Sequence, residues 1–96
     1  MNDQQSMGKT RVVRRNDELI VAPVDGELVM LSVEKGQYFG IGGVGTRIWE
    51  LLESPKNETS IIQAIVAEFE VDEDTCRRDV IEFLDRLLEM DLIALE

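Results

Sequence analysis

The residue types that usually carry chemistry are nearly absent from this chain. It has no histidine, which removes the commonest general base and metal ligand. Its one cysteine, Cys76, therefore lacks the histidine partner that a papain-like nucleophile needs. A lone cysteine on the apolar side of a helical segment is ordinarily packing. One cysteine allows no internal disulfide and suits a reducing compartment. Gly40, Gly42, Gly43 and Gly45 precede a segment of helical period, as a phosphate-binding loop would. They lack the Gly-Lys-Ser/Thr ending and the crossover context of such a loop, so they read as a strand-to-helix bend. The carboxylates do not fall at calcium-loop spacing. No enzyme activity, cofactor or metal is expected. The chemistry left is that of the backbone, in the run Gly36-Gln37-Tyr38-Phe39-Gly40-Ile41.

That run reads as a short strand without charge or proline, the usual guards of an exposed sheet edge. As the third strand of a meander it lies at the edge, where its unpaired N–H and C=O groups can receive an extended peptide. Gln37, Phe39 and Ile41 share one face, and Tyr38 and Gly40 the other. Gln37, Tyr38, Phe39, Gly40 and Ile41 are thus candidate peptide-binding residues.

The elements that position this strand can be taken in order. The 96 residues form a single domain, with Met1 to Thr10 as a mobile tail and residues 11–96 as the domain. Arg11, Arg14 and Arg15 surround Val12 and Val13 in a solvated lead-in strand. Leu19 to Val24 is a strand whose Pro23 implies an edge. Asp25-Gly26 is a hairpin signal, and Glu27 to Val33, apolar on both alternating sets, is the central strand. Glu34-Lys35-Gly36 makes the second turn. Val44, Ile48, Leu51 and Leu52 have helical spacing, and Ser54-Pro55 ends that helix. The second helix starts near Asn57 to Ser60, with Ser60 and Gln63 placed to form a capping box. Asp72 is the expected N-cap of a third helix that runs to about Met90. Leu92 to Leu95 adds a short extended piece. Strands followed by helices predict an α+β domain, here a three-stranded antiparallel sheet followed by a helix-turn-helix-like trihelical bundle.

The third helix is the second informative element. On a wheel of about 100° per residue, Cys76, Val80, Phe83, Leu84 and Leu87 fill the core arc. The apolar surface continues through Leu88 and Ile81, with Arg77 beside them. This flank is predicted to line a groove next to the open strand. Ile81 and Leu88 would hold apolar peptide side chains, Arg77 would sit at the rim, and Leu84 would touch both groove and core.

The run Gly36 to Leu52 (GQYFGIGGVGTRIWELL), the Ile62/Val66 helix, and Asp79-Val-Ile-Glu-Phe-Leu84 followed by Asp91-Leu-Ile93 resemble the PqqD-like proteins. These are peptide chaperones, or recognition elements, of pathways that modify ribosomally made peptides. The pattern is most similar to the free-standing type of lasso-peptide biosynthesis. The resemblance covers roughly Leu19 to Leu95. Gly42 stands where the family often has asparagine, and Asp91 where it often has glycine. The resemblance implies a winged-helix-like fold. It also implies a precursor's leader peptide as ligand, added as a strand to the third strand and lying against the third helix. The partners it implies are a leader peptidase, a transglutaminase-like cysteine protease, and a cyclase acting later.

Charge separates this reading from its rivals. Twenty acidic against ten basic residues give a net charge of −10, whereas a surface that tracks phosphates needs a basic footprint. A winged-helix DNA-binding regulator is the main alternative. Asp79, Glu82, Asp85 and Glu89 on its would-be recognition helix would repel phosphates. A carrier or electron-transfer role finds no attachment motif and no cofactor ligands. No nucleic-acid or membrane partner is expected, and the chain reads as cytoplasmic.

Overall fold

A computed structural model describes residues 10–96. The expected tail lies outside these residues apart from Thr10. That residue belongs to the domain, because its hydroxyl accepts the Thr59 backbone N–H at 3.0 Å. The elements are β1 (Val12–Arg15), β2 (Leu19–Val24), β3 (Glu27–Ser32), β4 (Gln37–Ile41), α1 (Val44–Leu51), β5 (Lys56–Asn57), α2 (Glu58–Phe69), α3 (Glu73–Glu89) and β6 (Ile93–Leu95). They form two antiparallel sheets, ordered β2-β3-β4 and β5-β1-β6. The domain is the α+β, winged-helix-like fold expected, with β2-β3-β4 as the wing and three helices as the body.

The second sheet was not expected as a sheet. The Arg11–Arg15 segment is not a solvated lead-in but its central strand, with Val13 fully buried. Its partners, Lys56–Asn57 and Ile93–Leu95, come from distant parts of the chain. Arg11 and Arg15 are anchored, while Arg14 stays exposed. Arg11 donates to both Glu58 and Asp85, and so ties β1 to α2 and α3. The hydrogen bond to Glu58, then that to Asp85, holds the guanidinium's proton more tightly than usual. Arg15 donates to the Trp49 carbonyl and lies over the Trp49 ring, 4.8 Å from its centroid. Packing a cation on a buried indole joins β1 to α1.

The core lies between the helices and the inward faces of both sheets. Met30, Ile48, Leu52, Ile61, Leu84, Leu87 and Leu92 are each within 2% of complete burial. In the wing, Leu28, Met30 and Ser32 turn inward while Val29 and Leu31 stay half-buried. The inward face is the better covered of the two, with Met30 and Ser32 buried and Leu28 half-buried.

The helix caps separate two similar sequence signals. Asn57, not Ser60, caps α2: its side chain accepts the Ser60 N–H at 2.7 Å. The Asn57 backbone is extended because it also belongs to β5, and an extended residue is what an N-cap requires. Asp72 caps α3 as expected, accepting the Thr75 N–H at 2.9 Å. That backbone hydrogen bond, with a smaller contribution from the Thr75 side chain, holds the Asp72 carboxyl below the usual aspartate range.

A carboxyl that ionises more easily folded than unfolded stabilises the fold above its unfolded pKa. That contribution is lost as pH falls through the folded value. Stability should therefore fall more steeply between about pH 5 and pH 2 in the parent than in Asp72→Asn, which keeps a capping oxygen but cannot titrate. Denaturant melts across that range check this, and equal slopes would count against the cap.

Candidate functional site: an open strand edge beside α3

The Asp25-Gly26 turn decides which backbone groups of β4 are free. Both residues take positive φ, 50° and 83°, as a two-residue type I′ hairpin requires. In such a turn the Glu27 N–H returns to the Val24 carbonyl, so the backbone groups of Glu27 point toward β2. Direction alternates along a strand, so those of Leu28, Met30 and Ser32 point toward β4. Their register partners are Ile41, Phe39 and Gln37. These three are therefore engaged in the ladder. Tyr38 and Gly40 direct their N–H and C=O groups away from the sheet, at its open edge.

Helix α3 lies beside β4, with the two running in opposite directions. Near the start of β4, the Lys35 ammonium meets the Asp91 carboxylate at 2.7 Å, joining the wing turn to the end of α3. Asp91 holds φ of 60°, a left-handed conformation that costs an ordinary residue energy. Beyond the end of β4, α1 begins against Phe83. A Cβ built on Gly45 would sit 2.8 Å from Ile41 Cγ2 and 2.9 Å from Phe83 Cζ. Gly45 thus lets α1, β4 and the Phe83 ring meet. Gly45→Ala should push that ring aside and cost about 1–3 kcal/mol of stability, as overpacking does. Thermal melts check this, and an unchanged midpoint would mean that the ring yields freely.

The structure distributes the sequence-derived residues over three places. Gln37, Tyr38, Phe39, Gly40 and Ile41 form the edge strand. Tyr38 is 74% exposed on the outer face, while Phe39 packs against the core and Ile41 is buried. Leu84 is fully buried and offers no groove surface. Arg77, Ile81 and Leu88 lie on the flank of α3 opposite to Phe83. Asp85, next to Ile81 on the wheel, bonds to Arg11 at β1, whereas Phe83 meets Gly45 at the end of β4. Ile81 lies about 160° around the helix from Phe83. Ile81 and Leu88 are half-buried against the core from the β1 side, and exposed Arg77 pairs with Glu73 one turn away.

The flank that meets the end of β4 is therefore that of Phe83. Phe83, expected at the core centre, is only half-buried. It walls a hollow of about 180 Å³ with Val44, Ile48 and Val80. A second hollow of about 200 Å³ adjoins it toward α2, between Val44, Ile65, Phe69 and Cys76. Burial, and then the nearby Asp79 charge, push the Cys76 thiol up, away from the thiolate that a nucleophile requires. Sequence patterning missed this flank because a wheel shows which faces are apolar, not which neighbour each one meets. The signal that existed was Gly45, placed to admit a large ring.

Wing, trihelical body and open edge define a winged-helix-like module. The family model described as "Coenzyme PQQ synthesis protein D (PqqD)" matches residues 27–93, and the chain belongs to that family. Two solved structures share its fold. One, "TbiB1 in Complex with the TbiA(beta) Leader Peptide", is 42% identical with a TM-score of 0.75, over 86% of this chain and 94% of that one. The other, "Lasso peptide synthetase B1 complexed with the leader peptide", is 24% identical with a TM-score of 0.71, over 84% and 95%. No curated protein matches the chain. Among the described residues, no helix is long and apolar enough to cross a membrane.

Proposed function

We propose that this chain is a non-enzymatic module that binds the leader of a ribosomally made precursor peptide, in a lasso-peptide pathway, and delivers it to a leader peptidase. The leader adds as a strand to β4 and lies along the Phe83 flank of α3. The observation that carries this reading is the pair of outward-directed residues, Tyr38 and Gly40, on a strand whose end meets the Phe83 ring and its apolar hollow. Backbone bonds supply part of the affinity and the hollows supply selectivity. The 42% identical relative, whose structure holds a leader peptide, supports the class of ligand.

The test uses the precursor encoded beside the gene of this chain, together with a transglutaminase-like peptidase from the same neighbourhood. The purified chain alone should leave the precursor intact. With the chain present, the peptidase should cleave faster, because holding both partners raises their effective concentration. Turnover by the chain alone, or a peptidase rate indifferent to it, would overturn the proposal.

A further inference from the structure

The two hollows on the α3 flank have a feature that a purely apolar groove lacks. Val44, Val80 and Asp79 belong to the walls of both. Among the described residues, Asp79 is the only charged one lining either hollow. Its carboxylate is exposed and forms no ion pair with another described residue. Of the other arginines on or near this helix, Arg77 pairs with Glu73 and Arg47 with Glu50 and Glu68, while Arg78 and Arg86 are exposed and extend from α3 into solvent.

A ligand that filled both hollows with apolar side chains would strip water from the carboxylate between them. An ionised carboxylate without water or partner is strongly disfavoured. A ligand that filled the hollows without offering a donor would therefore lose much of what their apolar walls supply. The chain's net charge of −10 adds a field favouring a cation.

We infer that Asp79 is a specificity-determining residue that selects peptides carrying a lysine or arginine next to, or between, the two apolar side chains that fill the hollows of the α3 flank. This rests on the peptide-binding reading above and adds the chemistry of the ligand. An extended peptide leaving the open edge of β4 passes Phe83 and then meets Asp79. Successive side chains alternate in direction, and the long stem of lysine or arginine can lie along apolar surface while its charge reaches the carboxylate. Charge then fixes the register along an edge whose backbone bonds are the same for every peptide.

The experiment selects short random peptides from a displayed library against the parent, Asp79→Asn and Asp79→Lys. The exposed helical position admits both substitutions, and melts confirm folding. The parent should enrich lysine or arginine within two positions of an apolar pair, and Asp79→Asn should lose that enrichment. Asp79→Lys should enrich aspartate or glutamate at the same place. A synthesised parent-selected peptide should lose affinity at least several-fold for Asp79→Lys and recover when its basic residue is changed to glutamate.

Peptides that protect the Tyr38 and Gly40 amides from exchange but show no basic preference overturn this inference alone. So does a basic preference that survives charge reversal. If no selected peptide protects those amides, this inference and the peptide-binding reading fall together.

Discussion

Tyr38→Pro is expected to cripple peptide binding while leaving the fold nearly intact, and Phe39→Pro to do the reverse. Proline lacks the N–H and fixes φ near −65°. At Tyr38 the lost donor is the one directed at the open edge, and the side chain it replaces is largely exposed. Losing that bond, and crowding the incoming strand with the ring, removes about 1–3 kcal/mol. In affinity this is roughly five- to a hundred-fold. At Phe39 the lost donor serves the ladder to Met30, and the lost side chain packs on the core. That variant should melt far earlier or fail to fold. Tyr38→Ala keeps the N–H and isolates the contribution of the side chain. Calorimetry with the precursor leader, paired with thermal melts, separates the outcomes. Binding by Tyr38→Pro at parental affinity would remove strand addition from the mechanism.

The groove proposed on the Phe83 flank gives the second large effect, opposite to the one expected from the helical wheel. Val44→Ala and Phe83→Leu should weaken leader affinity, by about 1–3 kcal/mol for a well-packed anchor contact. Val44 is 40% exposed and shared by both hollows, so its truncation should disturb folding little. Ile81→Ala and Leu88→Ala should instead cost stability, about 2 kcal/mol or more where the site cannot collapse, and leave affinity nearly unchanged. The physical reason is the partner each flank meets: Phe83 faces the end of β4, and Ile81 faces the β1 side. A midpoint shift without an affinity change for Ile81 and Leu88, and the opposite for Val44, is the expected pattern. If Ile81→Ala alone weakened the leader at an unchanged melting temperature, the groove would lie on the β1 side after all.

Much of the fold was legible in local sequence because local chemistry dictates it. Asp25-Gly26 could only be a tight turn, and Asp72 was the natural cap for a helix that opens on acidic residues. The charge-free run Gln37–Ile41 marked a sheet edge, since nothing in it guards against pairing. Even the outward direction of Tyr38 and Gly40 follows from local facts, once turn type and register are known. The missing histidine and the net charge of −10 steered the reading away from catalysis and phosphates without any coordinates.

Tertiary structure decided what depends on segments far apart in the chain. The β5-β1-β6 sheet joins three short pieces that carry weak signals singly, because each strand has only two to four residues. Arg11 looked like a solvated charge until Glu58 and Asp85 were brought to it. Asn57 took the capping role from Ser60 because its strand pairing with β1 sets its backbone. Above all, the groove flank of α3 could not be chosen from periodicity. Hydrophobic spacing fixes which residues turn from water, but the rotation of a helix against its neighbours is set by long-range packing. Here that packing is the Phe83 ring seated over Gly45, which sets the Phe83 flank of α3 against the end of β4.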